Sequence, residues 1–441
     1  MLTILGFSMV AVFMVLIMTK RMSALVALVV VPVAFGVLAG FGRDLGPMML
    51  QGITKLAPTG VMLMFAILYF GIMIDAGLFE PFVRRLVRLV QGDPVKVVVG
   101  TAVLAFFVSL DGDGSTTYMI TTAAMLPLYL RLHISPLVLT CVTMLASGIM
   151  NILPWGGPTA RVASALQVDV AELFVPLIPA MIGSAACVLL VAWRLGRRER
   201  DLAATRAATD QTPTASGAQL ALDDMPPRAA RPHMLIINAL LTVALLVALV
   251  LNVLPLAALF MIAFAIAATI NYPSVLEQKE HLTAHAGNAL SVVGLIFAAG
   301  IFTGILSGTR MVDAMAGSVV TTLPPGLAPF LAPVAGILSI PFTFFISNDA
   351  FYYGVVPILA KAGAAYGISA AEIGRAALIG QPVHLLSPLV PSTYLLVGLV
   401  NAELGDHQRF TLKWSLLASL TMLAVGLLTG VIPLIGRGLA R

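Results

Sequence analysis

The chain has little charge: Lys, Arg, Asp and Glu make up 10% of its 441 residues, while 59% are hydrophobic. A soluble domain carries about a quarter of its residues as charges, so composition excludes a water-soluble globular protein, and a mean hydropathy of +1.01 agrees. Cysteine is scarcer still. Its 2 copies, Cys141 and Cys187, lie in apolar runs, which gives neither a disulfide framework nor a zinc-ligand spacing. Both read as packing residues. The first apolar run, Leu2 to Met18, lacks a basic region before it and a small-residue cleavage motif after it, so an uncleaved helix is expected there. No nucleic-acid partner is expected.

What the chain does have is apolar length. A helix needs about 20 such residues to cross a bilayer. Candidate crossings lie at 2–18, 22–41, 58–78, 136–167 and 173–193, and again at 234–252, 255–271, 286–307, 371–401 and 411–435. Two further runs, 95–130 and 327–362, are too long for one crossing and carry polar residues at their centres. These are Ser109-Leu-Asp-Gly-Asp-Gly-Ser-Thr-Thr-Tyr118 and Ser347-Asn-Asp-Ala-Phe-Tyr-Tyr353. An ionisable group at bilayer depth is expensive and is kept only where it faces a cavity, a partner or a substrate. Each run therefore reads as a re-entrant helical hairpin with a polar tip. Between the halves, residues 195–233 are rich in Arg, Asp, Ala, Thr and Pro and contain no apolar run, which predicts a solvated, disordered cytoplasmic linker.

The halves, 1–194 and 234–441, repeat. Gly71 to Glu80 lines up with Gly304 to Asp313 at an offset of 233 positions, and Ile134-Ser135 with Ile368-Ser369 at 234. Leu153-Pro154 falls on Ser387-Pro388 at the same 234. Threading the runs alternately gathers Lys20, Arg21, Arg84, Arg85, Arg88, Arg131, the linker, Lys279 and Arg409 on one side, the cytoplasm by the positive-inside rule. Five crossings per repeat is an odd number, so the second repeat is inverted. The expected fold is an all-α polytopic membrane protein of two inverted-topology repeats, each with five crossings, one of them broken, and one hairpin. In secondary transporters of this architecture the site lies where the repeats meet.

The broken crossings are visible as well. Asn151-Ile-Leu-Pro-Trp-Gly-Gly-Pro-Thr-Ala-Arg161 cannot stay helical through its prolines and glycines. Its counterpart, Gln381-Pro-Val-His-Leu-Leu-Ser-Pro-Leu-Val-Pro-Ser-Thr393, breaks in the same place. Unwound backbone at membrane depth is tolerated where it lines a cavity. Its carbonyls can meet a cation and the next helix N-terminus an anion, and Arg161 stands at such a start.

These segments resemble a known group. SLDGDGSTTYMITTAAMLPLY, NILPWGGPTAR, ISNDAFYYGVVPIL and GQPVHLLSPLVPSTYLLVGL are similar, over essentially the whole chain, to the citrate–divalent metal–proton symporter family (CitMHS) of the ion transporter superfamily. The resemblance implies uptake of citrate as a metal complex in symport with protons, by an elevator-like movement of the hairpin domain in a homodimer of a bacterial inner membrane. No resident cofactor is implied, only a co-transported divalent cation such as Mg or Ca. Where sodium-coupled relatives would be neutral at the first tip, Asp111 and Asp113 stand here, which favours a cationic complex or a proton over sodium.

The candidate substrate-binding residues are Ser115, Thr116 and Thr117 at the first tip and Ser347 and Asn348 at the second. The breaks add Asn151, Gly156, Gly157, Thr159, Arg161, Ser387, Ser392 and Thr393. Asp111 and Asp113 are expected to hold the metal, and Asp349, with His384 second, to carry the proton. Each has a bland counterpart: the acids could cap helices or turns, the hydroxyls could satisfy the tip backbone, Arg161 could snorkel, and His384 could be a core histidine. Asp75 reads as interfacial, and Arg84-Arg85-Leu-Val-Arg88 as the basic face of a surface helix. Two other functions fit parts of the pattern. A cation/proton antiporter needs the carboxylates but not Arg161. An intramembrane aspartyl protease needs Gly-x-Gly-Asp, where Leu110 replaces the first Gly, and there is no His-Glu-x-x-His motif.

Overall fold

The computed structural model describes residues 1–90, 92–112, 114–209, 232–251, 253–322, 324 and 326–439, and all regular structure among them is helical. A helix bonds every backbone amide within its own segment, as an apolar solvent demands. Six helices among the described residues are long and apolar enough to cross a membrane, and five shorter apolar helices accompany them.

The first half opens with α1 (Leu2–Met18) and α2 (Ala24–Leu38), the latter started by Ser23, whose hydroxyl accepts from Val26 N. Helix α3 (Leu45–Asp75) begins well before the apolar run at 58–78, because Pro58 is carried inside the helix and Lys55 reaches out to Gln167 at 2.8 Å. Helix α4 (Glu80–Val90) buries Val83, Val87 and Val90 and exposes Arg84, Arg85 and Arg88. That is the surface helix its basic face predicts.

The run at 95–130 folds as α5 (Pro94–Val108), a 3-10 turn over Ser109–Asp111, and α6 (Gly114–Arg131), with Gly112 at φ 79° between them. α5 and α6 pack on each other. Asp113 lies outside the described residues. The first broken crossing follows as α7 (Pro136–Met150) and α8 (Gly157–Leu166), and α9 (Val170–Thr209) closes the half.

One expectation fails at this point. The polar stretch from 195 onward begins as helix, not as linker, since α9 continues for 40 residues to Thr209. Its Arg, Glu, Leu and Ala are good helix formers and need no apolar face to extend a helix already begun. Residues 210–231 lie outside the described residues.

The second half runs through α10 (Pro232–Val250), α11 (Leu256–Asn271), α12 (Val275–Gly308) and α13 (Met311–Thr322). Its hairpin region comprises α14 (Leu331–Phe345), an extended break at Ile346, a π-helical turn over Ala350–Val355, and α15 (Val356–Ala364). Then come α16 (Ala370–Ala377), α17 (Gln381–His384) and α18 (Pro391–Leu399), the second broken crossing, and α19 (Leu404–Leu428). α19 stops short of the 435 expected, because Thr429 and Gly430, at φ 71°, close it.

The element order of the first half thus recurs. Ser135 and Ser369 stand at the N-caps of the two broken crossings. Ser369 forms a capping box with Glu372, whereas the Ser135 amide is met at 2.9 Å by Glu199 from α9. The long helices α3 and α12 pack along each other, while α5 packs on α7 and α9, and α9 on α19.

Candidate functional site

The tips and the breaks meet at one cavity of about 840 Å³. Both interruptions of the first half and both of the second contribute to its wall, although they lie far apart in sequence. The first tip supplies Asp111, Gly112, Ser115 and Thr116, and the second supplies Ser347, Asn348 and Asp349. Asn151, Gly157 and Arg161 come from the first break, and His384, Leu389 and Ser392 from the second. The remaining face is formed by α3 and α12, with Phe70, Gly71, His285, Asn288 and Ser291.

Arg161 does not run to an interface. Its Nε donates to Asp349 Oδ1 at 2.6 Å, with the two side chains 25% and 18% exposed, so the guanidinium of one repeat pairs with the second tip of the other. Arg161 and Asp349, expected from the sequence to act separately, form one ion pair here. Such a pair is retained where its geometry is good, and losing either partner leaves the other charge stranded.

Next to the pair runs a neutral chain of amides. Asn151 Nδ2 donates to Gln381 Oε1 at 3.1 Å, and Gln381 Nε2 donates to Asn348 Oδ1 at 3.2 Å and to the Tyr352 hydroxyl. One fully buried glutamine therefore ties the first break to the second tip. Trp155 performs the same service on the other side. Its indole N–H donates to Leu110 O at 2.9 Å, and its ring lies 5.1 Å from that of Phe70 on α3. Sequence reasoning missed Gln381 and Trp155; their only signal was a polar or aromatic residue adjoining a break.

Several expected substrate contacts do not reach the cavity. Thr117 is buried with its hydroxyl 3.1 Å from Ser109 Oγ, which closes the first tip on itself. Thr159 donates to Ile152 O at 2.7 Å and Ser387 to Phe344 O at 2.6 Å, while Thr393 donates to Leu385 O. These hydroxyls satisfy carbonyls that the breaks release, as exposed backbone at membrane depth requires. Gly156 also serves the break rather than the wall, because a Cβ there would sit 2.1 Å from Asn151 O. Ser347 does both: it lines the cavity and its hydroxyl accepts from Ala350 N at 3.1 Å. His384 lines the cavity too. Its Nδ1 is 2.7 Å from Thr343 O, which can only accept, so Nδ1 carries the hydrogen of the neutral ring and Nε2 the lone pair.

A second group went unnoticed in the sequence. His281 and His285, one helical turn apart on α12, converge on Asp75 at the end of α3, with ligand atoms all within 4.8 Å of one another. The His-x-x-x-His spacing was its signal. Among the described residues, neither Asp111 nor Asp349 belongs to such a cluster of three.

The cavity wall thus carries a cation, acids, hydroxyls and amides on irregular backbone inside an apolar protein. The Alcanivorax borkumensis YdaH transporter shares 17% identity and a TM-score of 0.58, with 90% of each chain covered. Neisseria gonorrhoeae MtrF shares 14% and 0.59, covering 91% of this chain and 86% of its own. At such identities the likeness speaks for the fold alone. Among curated relatives, a "Citrate transporter" of Bacillus subtilis (strain 168) is 58% identical over 435 residues, 98% of this chain and 100% of its own. A "Mg(2+)/citrate complex secondary transporter" of the same organism is 51% identical over 435 residues, again 98% and 100%. The family pattern described as "Citrate transporter" matches residues 13–380. A multi-pass membrane protein and a transporter rather than an enzyme, the chain belongs to the CitMHS family of citrate transporters.

Proposed function

We propose that the chain imports citrate as a complex with a divalent cation, coupled to protons. The observation that carries this is the Arg161–Asp349 pair on the wall of the 840 Å³ cavity. A guanidinium is the side chain suited to a carboxylate, because it offers two parallel donors. A citrate carboxylate arriving at Arg161 competes with Asp349 for those donors. Once displaced, Asp349 is a charged group with no partner inside an apolar protein, and taking up a proton removes that cost. Substrate and proton would then load together at one ion pair, with His384 Nε2 as a further acceptor. Ser115, Thr116, Asn348 and Ser392 offer hydroxyls and an amide to the remaining citrate oxygens.

The cargo metal needs few protein ligands, since citrate supplies oxygens of its own. Asp111, on the cavity wall, would complete its shell, and the same role is proposed for Asp113. Oxygen ligands suit magnesium and calcium, in keeping with the relative named for Mg(2+)/citrate. Alternating access follows, in this reading, from inverted repeats whose hairpins and broken helices move as a body against α3 and α12, in a homodimer. The recurring element order and the convergence of both tips on one cavity support it.

The test is uptake of labelled citrate into inside-negative vesicles, with Mg2+ titrated and the pH gradient imposed or collapsed. Uptake that needs both the metal and the gradient is expected. Uptake of free citrate with no metal requirement, or equal rates with the gradient collapsed, would remove the corresponding half of the proposal.

A further inference from the structure

Asp75, His281 and His285 stand apart from the Arg161–Asp349 pair, between α3 and α12: His285 lines the central cavity, whereas Asp75 and His281 line a separate one of about 570 Å³. Asp75 Oδ2 is 3.1 Å from His281 Nδ1 and 3.2 Å from His285 Nε2, so two imidazoles address one carboxylate oxygen. The His281 ring is buried, and its other nitrogen, Nε2, lies 3.3 Å from Leu68 O. A backbone carbonyl only accepts, so Nε2 carries the ring's hydrogen. In the neutral ring Nδ1 then holds a lone pair, which faces the Asp75 carboxylate oxygen and, at 3.2 Å, the Tyr272 hydroxyl. The hydroxyl can donate to that lone pair but the carboxylate cannot, so the 3.1 Å contact with Asp75 calls for a positive charge, a proton or a metal ion, between the two.

The three ligand atoms, all within 4.8 Å of one another, form a group able to hold a metal ion. A ligating histidine characteristically donates its second N–H to a backbone carbonyl, which fixes tautomer and ring orientation. With bonds of the usual length, neighbouring ligand atoms around a tetrahedral or octahedral cation lie about 3.0–3.4 Å apart, and the two Asp75 separations fall in that range. Two features hold the rings in this pose. Tyr272 stacks on His281 at 5.0 Å and 27°. Gly71 of α3 leaves room for the other ring, since a Cβ there would stand 2.9 Å from His285 Cε1.

We infer that Asp75, His281 and His285 bind one divalent transition-metal ion of the zinc, cobalt or nickel class. Imidazole with one carboxylate selects such ions over magnesium and calcium, which prefer oxygen ligands. The site is therefore separate in place and chemistry from the citrate-borne cargo. A bound ion bridges two long helices, α3 and α12. Because His285 also lines the central cavity, the ion sets positive charge where an anion enters. That last consequence rests on the transport reading; the binding does not.

The test uses purified, tag-free full-length protein in citrate-free detergent buffer, titrated with Co2+ and followed by its visible d–d absorption. One saturating equivalent is expected, displaced by Zn2+ and retained in Arg161→Gln and in the exposed-histidine control His133→Gln. In Asp75→Asn and His285→Ala the apparent affinity should fall at least about tenfold, since loss of an outer-shell partner alone costs that much. Should His285→Ala not fold, Gly71→Ala moves the ring without removing a ligand and should weaken binding as well. Absence of saturable bands in the parent protein, or bands unchanged in Asp75→Asn and Gly71→Ala, would overturn the inference and leave the cluster a proton-holding contact between two helices.

Discussion

On one side of the central cavity the chain is interrupted at both hairpin tips and both broken crossings, while on the other α3 and α12 pass unbroken for 31 and 34 residues. The interrupted side places Arg161 on Asp349 and gives over much of its hydroxyl inventory, Thr117, Thr159, Ser387 and Thr393, to bonding tip neighbours and released backbone. The continuous side keeps its backbone helical and offers the cavity side chains alone, His285, Asn288 and Ser291, the first of which belongs to the Asp75–His281–His285 cluster behind the wall. Breaking a helix brings ligand groups of backbone and side chain to the midplane but needs a second shell to hold them. An intact helix offers only what projects from it, in fixed register. The first wall is suited to a cargo that must arrive and leave, and the second to a ligand held in one geometry.

The sharpest way to break this comparison is Arg161→Gln. Hydrogen bonds to a charged group are worth about 1.5–3 kcal/mol, so citrate uptake should fall by about tenfold to a hundredfold. Stability should fall as well, because Asp349 is left charged without its partner. The double variant Arg161→Gln, Asp349→Asn removes both charges and should regain the stability but not the uptake. If the double variant transported citrate as well as the parent, the pair would be structural and the interrupted wall would lose its claim to the cargo.

A smaller effect is expected at Gln381. Replacing it by Leu removes the bridge between Asn151, Asn348 and Tyr352; the fully buried Tyr352 hydroxyl loses this partner at about 1–3 kcal/mol, and the half-buried Asn151 and Asn348 are no longer held on the cavity wall. Apparent affinity for citrate should weaken and the midpoint of thermal unfolding should drop together. The Co2+ bands of the α3–α12 cluster should not change, since no atom of that network touches it. A variant that altered both would show that the two walls are not independent.

How much of this could be read from the sequence depended on whether a feature broke a pattern. Asp111, Asp349 and the Pro–Gly clusters were visible because polar and helix-breaking residues stand out in apolar runs, and they located both tips and both breaks. The start of α3 was hidden because Lys55 and Pro58 interrupt the hydropathy, although a long helix tolerates both. Within a break there is no period of 3.6 or 2, so nothing in the sequence separates Ser392, on the cavity wall, from Thr393, bonded to Leu385 O. Arg161 and Asp349 lie 188 positions apart, and their pairing is set by packing between the halves, which composition does not reveal. His281 and His285 did have the right periodicity. Their partner Asp75 comes from another helix, so the motif was incomplete without the fold.

The smallest effect tests whether the interrupted wall is anchored at its outer end. Asp93 caps α5 by accepting from Val95 N at 3.0 Å, and the same carboxylate receives Arg200 of α9 at 2.7 and 2.8 Å. The guanidinium, with the Val95 amide assisting, holds the Asp93 carboxyl below the usual carboxylate range. A group whose pKa is lower in the folded state stabilises above its unfolded value, and loses that contribution as pH falls through the folded one. Asp93→Asn keeps the cap, since Asn serves there as well as Asp, and deletes only the charge. The mutant should therefore melt slightly lower at neutral pH, by on the order of one or two degrees for an exposed pair. That gap should begin to close below about pH 4, where the free carboxyl takes up its proton, vanish only below the folded-state value, and shrink in high salt. Citrate uptake should be unchanged, because the tether joins the hairpin to α9 far from the tip. A loss of uptake without a loss of stability would mean that the hairpin moves relative to α9 during transport and that this ion pair must break and reform.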